Sequence, residues 1–488
     1  TQATVYISLI AQGRFEEAFE AITRDNPLPA VCARVCHHPC ESKCQAGQWD
    51  SPIAVRALKR FAVDYALRSG IYPPKTRRQP QGEKIAVVGS GPAGLMAGYD
   101  LARRGYAVTI FEALDVPGGA LVAFIPEYRL PRELLNADIE NVKSAGVKIR
   151  TGVKIGRDIP FEDLVEEYKA VFIATGAHKS RKLNIPGEEA DGVVDAMEFL
   201  KRVNLGQEVR LGKRVGVIGG GNAAVDAARV ALRMPQCERV SILYRRTRAE
   251  MPAFGEEVNA LIEEKVNLQF LTAPVRAIAT GGRLVGVECL RMELGQPDES
   301  GRRRPVPVVG SEFVIELDTL LVAIGEEPEA TFAGREGGIE ISKRGTTVVC
   351  EETLATAVPG VFAGGDVVTG PDTVINAMAA GRLAARMIDK HVRGETLASE
   401  PVLTRPAQYL EPVVLSEEEL ESADRPSASR LPVEQRTGGF AEVELCLTEV
   451  QAIKEARRCL RCDLQTEDGK RHLAQLAQAE AGEKEHAE

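Results

Sequence analysis

The chain has 488 residues, 44% hydrophobic and 27% charged, with a formal net charge of −9. This is the composition of a globular protein of roughly two to four domains, and the acidic balance argues against nucleic acid or anionic membrane as a partner. No run of about 18 uncharged apolar residues reads as a membrane span, and TQATVYISLI lacks the basic leader of a secretory signal, so a cytoplasmic location is expected. Thr1 stands where a Met would open a full reading frame, an expectation of residues upstream.

Residues 1–78 read as a small helical domain. RFEEAFEAI (14–22) and IAVRALKRFAVDYAL (53–67) repeat apolar residues at spacings of three and four. Between them, VCARVCHHPCESKC sets Cys32, Cys36, Cys40 and Cys44 at intervals of four, with Pro39 arguing against one continuous helix. The Pro-rich stretch 73–84 reads as a linker. From there short β-branched runs alternate with Ala-rich helical stretches, the pattern of parallel α/β sheet. Two units begin alike, at KIAVVGSGPAGLMAGYDLA (84–102) and KRVGVIGGGNAAVDAARVA (213–231). Beyond about 395 the chain is rich in Pro, Ser and Glu, a segment expected to wrap a surface. A helix is predicted over 448–462, with Thr448 and Gln451 in capping-box register, followed by a frayed end.

The first unit carries Gly89, Gly91 and Gly94 between a strand and a helix, with Pro92 and Ala93 opening the helix. Glycines at these places permit the tight turn, the approach of a pyrophosphate and close helix–strand packing. The phosphates then meet the free N–H groups of the helix N-terminus. Glu112 ends the next strand, placed for a ribose hydroxyl. The second unit has Gly219, Gly221 and Ala224, with Asn222 and Ala223 between them. Its following strand ends in Arg245 and Arg246 where the first unit has an acid, which suits a 2′-phosphate and hence NADP(H) over NAD(H); a solvated charge run is the alternative. Two dinucleotide sites in one chain imply a flavin meeting a nicotinamide. VFIATGAH (171–178), with Thr175 and Gly176, and GVFAGGDVV (360–368), with Gly365 and Asp366, add two more strand ends of the same kind.

VCARVC, CESKC, GSGPAG, VPGGALVAFIPEYRLP, IATGAHKSRKLNIPGE, IGGGNAAVDAAR, YRRTRAEMPA, FAGGDVV and EARRCLRC together resemble the small, NADPH-oxidising subunit of glutamate synthase and its relatives, including the flavin half of dihydropyrimidine dehydrogenase. The resemblance implies an α-helical iron–sulfur domain (1–78) and a Rossmann-like FAD domain (79–195 and 311–395) split by a Rossmann-like NAD(P)H domain (196–310). A wrapping tail over 396–488 follows. It also implies that Gly89, Gly91, Gly94 and Glu112 contact FAD, that Gly119 lies along the flavin and that Asp366 binds the ribityl chain. Ala379, Ala380 and Gly381 would begin a turn near the isoalloxazine, and Arg245 and Arg246 would meet the 2′-phosphate.

Cys459 and Cys462, in EARRCLRC, are implied by the same resemblance to fold back onto the comb as metal ligands with Cys32, Cys36, Cys40 and Cys44. Six thiolates suffice for one [4Fe–4S] cluster; zinc is the rival occupant of four thiolates. The family's Glu or Gln ligand position holds Lys59, which cannot ligate, and a second cluster stays open. His37 and His38 read as flanking polar residues, Trp49 as packing, and Cys237, Cys289, Cys350 and Cys446 as small buried hydrophobes. No close Cys pair lies in the FAD or nicotinamide domain, which argues against a disulfide reductase. The expected function is an NAD(P)H-dependent flavoprotein that passes single electrons to or from a larger partner subunit. A stand-alone NAD(P)H:ferredoxin or quinone-type diaphorase and a vestigial structural subunit are the alternatives.

Overall fold

The computed structural model describes residues 2–74, 78–299, 301–328, 337–398, 406–416 and 424–475. Four helices form the N-terminal domain: α1 (Ala3–Ala11), α2 (Phe15–Thr23), α3 (Pro29–Val35) and α4 (Val55–Arg68). Their apolar faces meet around Tyr6, Ile10, Ile22, Leu58 and Phe61, and Phe15 stands edge-on to Phe61 with ring centroids 5.0 Å apart. The comb starts inside α3, but the helix stops before Cys36, whose backbone is extended. Pro39, unable to donate to a helix, then leads a chain of turns.

The FAD-type domain opens with β1 (Lys84–Val88) and α5 (Pro92–Arg103), and continues with β2 (Ala107–Phe111), α6 (Arg132–Ser144), β3 (Lys148–Arg150) and β4 (Ala170–Ile173). Its parallel sheet runs β16–β4–β1–β2–β3, where β16 is Val361–Ala363, nearly 190 residues after β4. Ile85, Ala86 and Val87 are fully buried, as a strand covered on both faces requires.

The second sheet is cut out of the first domain. It orders β6 (Val193–Asp195), β14 (Thr319–Val322), β7 (Arg214–Ile218), β8 (Arg239–Tyr244) and β9 (Asn267–Phe270). Helices α7 (Ala196–Asn204), α8 (Asn222–Leu232) and α9 (Gly255–Glu263) belong to it. A four-stranded antiparallel sheet of β10 (Thr272–Thr280), β11 (Arg283–Pro297), β12 (Arg303–Pro307) and β13 (Phe313–Glu316) is appended. The expected boundaries at 196 and 310 therefore need correction. Both β6 and β14 hydrogen-bond into the nicotinamide sheet, which spans about residues 193–322, because β14 lies between β6 and β7. At the crossings between domains, β5 (Ala177–Ser180) pairs antiparallel with β15 (Glu326–Pro328).

The long helix α10 (Val374–Val392) returns the chain to the first domain and packs along α5. At the contact, a Cβ on Gly381 would overlap the carbonyl oxygen of Ala93, so only glycine allows this approach. Ala379, Ala380 and Gly381 are thus mid-helix, and the turn expected there is instead the N-terminal end of α10, where Thr373 caps Asn376 N–H.

The tail wraps, as expected, but it also enters the cores it crosses. Val443 joins the nicotinamide-domain core, and Leu447, Ala452 and Ala456 join that of the N-terminal domain. Helix α11 (Glu449–Arg457) has the predicted capping box between Thr448 and Gln451. It ends before Cys459, so the cysteines lie past the helix, with Arg461 left-handed between them. Buried Glu455 accepts from Ala54 N–H at 2.6 Å, joining α11 to the start of α4. Residues 467–475, expected to fray, are helical, and 476–488 lie outside the described residues.

Two buried junctions lock the domains together. Arg129 pairs with Asp226 (2.6 Å) and Glu257, while Arg229 and Arg233 converge on fully buried Glu264 at 2.8 Å and stack over Tyr128. Asp138, buried at the middle of α6, accepts from Ala30 N–H (3.1 Å), Val31 N–H (2.8 Å) and the Tyr72 hydroxyl (2.7 Å). Removing that carboxylate leaves three buried donors without an acceptor, so Asp138→Ala is expected to cost about 3 kcal/mol or more, read as a lower urea midpoint. Limited proteolysis should then cut first between residues 66 and 84, where the N-terminal domain would separate; an unchanged midpoint would contradict this role.

Candidate functional site

Both nucleotide fingerprints open onto one cavity of about 760 Å³. From the first domain, Gly89, Gly91, Pro92, Ala93, Glu112, Gly119, Thr175, Gly176 and Asp366 line it; from the second, Asn222 and Ala223 do. This follows from the folding of each βα turn. Gly89 has a φ of 107° and its backbone passes against Ala174, while a Cβ at Gly94 would overlap the carbonyl oxygen of Gly89. Gly119 lies against the backbone of Gly91, which leaves the start of α5 open toward the cavity. In the second domain Gly219 passes against Ala323 in the same way, and fully buried Ala224 takes the place of a third glycine. The ring of Tyr244 covers Gly220.

The polar groups around this space differ in how far the protein itself satisfies them. Glu112 is buried at the end of β2, accepting from Ser90 N–H (2.9 Å), the Ser90 hydroxyl and Leu114 N–H (2.8 Å). The Thr175 hydroxyl is buried with no partner among the described residues, which fits a ligand atom placed beside it. Burial and the neighbouring Asp372 push the Asp366 carboxyl up to about 6. Gly365, at φ 78°, turns the chain out of β16 to present it. Gly364 packs against Ala380, and Gly381 against Ala93, so those α10 positions shape the cavity wall from behind. The α10 residues on the cavity itself are Thr373, Val374 and Ala377, together with His178, Asp195 and Met197 from the domain crossing and α7. Sequence reading missed these six; the only signal was that Thr373 precedes a long helical run. A dinucleotide with its flavin fits such a place: the first glycine turn for its pyrophosphate, an apolar wall for rings, and buried acceptors for hydroxyl groups, with Asn222 and Ala223 the part of the second fingerprint that reaches it.

The two arginines assigned to the 2′-phosphate separate. Arg245 is exposed at the end of β8. Arg246 is buried, pairing with Asp298 at 2.6 Å and donating to the Arg303 carbonyl, and so is committed to the appended sheet. The structure therefore corrects the pair to one available guanidinium.

The cysteines from the two ends of the chain meet. Burial pushes the Tyr6 hydroxyl well up, helped by Cys40, Cys36, Glu41 and Cys459 around it. Burial and nearby Cys44 likewise raise the Cys462 thiol. Sulfurs more than 400 residues apart are thus gathered at the α1–α11 face, a donor set suited to iron or zinc, although among the described residues no three converge as closed ligands. Cys32 stands apart: it is buried in the FAD-domain core, and burial pushes its thiol up to about 11. Lys59 is buried beside the comb, its charge acting on Cys32 and Cys40. His37 stacks on Phe254 and His38 approaches Glu256, so both reach the nicotinamide domain. Two readings are corrected here. Trp49 is 86% exposed and packs on nothing substantial, and Cys350 is exposed, whereas Cys289 is buried as expected.

The pyridine nucleotide-disulphide oxidoreductase family matches residues 83–381, and dihydropyrimidine dehydrogenase domain II, 4Fe-4S cluster, matches residues 1–71. The chain is 43% identical over 486 residues to the NADP(+)-dependent formate dehydrogenase subunit beta of Moorella thermoacetica, covering 94% of this chain and 68% of that protein. It is 40% identical to the NADPH-Fe(3+) oxidoreductase subunit beta of Geobacter sulfurreducens, covering 94% and 73%. Among solved structures, Mycobacterium tuberculosis FprA in complex with NADPH superposes with a TM-score of 0.56 at 19% identity, over 64% of this chain and 85% of that one, a likeness of fold. The chain belongs to the pyridine nucleotide-disulphide oxidoreductase family, as an NAD(P)H-dependent flavoprotein subunit carrying a 4Fe-4S domain of the dihydropyrimidine dehydrogenase type at its front.

Proposed function

We propose that this subunit exchanges a hydride with NADP(H) at a flavin and relays single electrons, through one [4Fe–4S] cluster, to or from a larger redox partner. The observation that carries the reading is the single cavity reached by both nucleotide fingerprints. When bound, the flavin supplies two-electron exchange with nicotinamide and one-electron exchange with an iron–sulfur centre. The chain's part is to hold and orient. Gly89, Gly91 and Gly94 admit the FAD pyrophosphate to the start of α5, with Glu112 and Asp366 accepting from ribose and ribityl hydroxyls. Gly219, Gly221 and Asn222 receive the nicotinamide dinucleotide at α8. The N-terminal end of α10 faces the cavity and favours negative charge on the flavin ring. No acid–base side chain is required for hydride exchange, and none is assigned.

Four thiolates drawn from Cys36, Cys40, Cys44, Cys459 and Cys462 would hold the cluster. The formate dehydrogenase and NADPH-Fe(3+) oxidoreductase relatives are beta subunits, and a partner subunit that carries the terminal substrate is proposed here on that likeness. No helix among the described residues is long and apolar enough to cross a membrane, and a cytoplasmic site is proposed.

Anaerobic titration with NADPH is expected to bleach the flavin bands and lower the broad absorbance near 400 nm together. Flavin bleaching over no such absorbance would remove the cluster and leave a simple flavin reductase. Arg245→Ala should raise the KM for NADPH about tenfold or more, since a charged hydrogen bond to phosphate is worth about 1.5–3 kcal/mol, and leave that for NADH unchanged. Equal effects on both nucleotides would refute the NADP(H) assignment.

A further inference from the structure

The second glycine turn is braced by the segment that leads into α9. Ala253 N–H donates to the Gly220 carbonyl at 3.1 Å, and Phe254 N–H donates to Asn222 Oδ1 at 3.0 Å. Asn222 opens α8 and lines the cavity. The atom that faces Phe254 N–H has to be an acceptor, so the amide is fixed with its oxygen toward this segment and its Nδ2 donors free for a ligand. The Phe254 carbonyl accepts from Glu257 N–H and Val258 N–H, at 3.0 and 3.1 Å, which starts α9. Both backbone groups of one residue are therefore committed, and a shift of Phe254 carries the Asn222 amide with it.

Phe254 is half-buried and lies outside the core of its own domain, so that core does not hold it. The N-terminal domain does. His37 stacks on the Phe254 ring with planes 7° apart and centroids 5.5 Å apart, within the range of an offset aromatic pair. Two residues along, Glu256 meets His38 Nε2 at 3.4 Å and Arg56 Nη2 at 3.2 Å, both from the same N-terminal domain.

We propose that His37 is a positioning residue for the nicotinamide dinucleotide: through Phe254 it holds the Asn222 amide at the start of α8, where that amide donates to the pyrophosphate. The inference rests on the NADP(H) reading above and deepens it, since the nucleotide site on one domain is then completed by a residue of another that never touches the nucleotide. The cause is preorganisation. Donors at a helix N-terminus bind a pyrophosphate best when their directions are fixed beforehand, and an amide that must be ordered on binding loses part of the affinity. A flat ring pressed on a second flat ring restrains the tilt and slide of Phe254, which apolar contact alone leaves free.

The test uses the purified holoprotein and the variants His37→Ala, His37→Phe, Phe254→Leu and the double variant His37→Ala/Phe254→Leu. Calorimetric titration with NADP+ is expected to show a Kd raised about two- to tenfold in His37→Ala, the scale of one aromatic pair. His37→Phe, which restores a stacking ring, should recover the original value. The double variant should bind no more weakly than Phe254→Leu alone, because both act through one contact. Adenosine 2′-phosphate, which has no pyrophosphate, should bind the unaltered protein and His37→Ala equally. With ferricyanide as acceptor, His37→Ala should raise the KM for NADPH by the same factor and keep kcat. An unchanged Kd for NADP+ in His37→Ala would overturn the proposal, and so would an equal loss for adenosine 2′-phosphate, which marks a general structural defect. Losses that multiply in the double variant would also overturn it. If His37→Ala does not fold, His37→Gln removes the ring at similar length and is read by the same titrations. Should the unaltered protein bind no NADP+, the nicotinamide assignment itself falls and the positioning role with it. Equal binding by the unaltered protein and His37→Ala removes the positioning role alone.

Discussion

The approach of α10 to α5 is the constraint on which the other arrangements rest. With Gly381 against the Ala93 carbonyl and Gly94 against that of Gly89, two helices and the end of a strand approach to backbone contact. Their N-terminal ends are thereby brought to the same cavity, one from the first βα turn and one from a segment nearly 300 residues later. The same helix carries Ala377 to the cavity wall and Met378 to α3. A side chain at either glycine would have to move main chain, which a packed interior resists. Nucleotide binding and attachment of the N-terminal domain therefore share one mechanical origin.

Charge does the remaining joining. The Arg129–Asp226 and Arg229–Glu264 pairs are buried, and burial taxes ions unless each finds several partners. Here Glu264 meets Arg229 and Arg233, Glu257 meets Arg129 and Arg229, Asp226 takes Arg129 and the Tyr128 hydroxyl, and Tyr128 lies beneath Arg229 and Arg233. Such a network tolerates little sliding, so it sets the angle at which the nicotinamide domain faces the flavin cavity. A hydrophobic interface of the same area would hold as well but specify that angle less sharply, because apolar contact is not directional.

Much of the site was legible from local pattern. The Gly-rich turns, the buried strands and the capping box of α11 depend on neighbours within a few residues, and each was found where its spacing placed it. What failed involved a choice between partners distant in the chain. Arg246 carries the same side chain as Arg245, yet it faces Asp298 in an appended sheet that no local pattern announces. The domain limits at 196 and 310 missed β6 and β14 because three- and four-residue strands carry too little periodicity to assign to one sheet over another. Trp49 was read as packing, yet it stands 86% exposed while Ala46, in the same turn, enters the core of the N-terminal domain.

The amino-acid sequence by itself determined the chemistry on offer: two dinucleotide turns, a comb of thiols and a second pair near the far end. These are properties of spacing, and steric rules within single βα units enforce them. Only the tertiary structure decided which groups work together. It brought the first turn and the start of α8 to one cavity, folded Cys459 and Cys462 back through the contact of Glu455 with Ala54, and set Cys32 against Met378. Those outcomes depend on burial and on backbone contacts across hundreds of residues, where many pairings satisfy the local rules and the packed interior admits one.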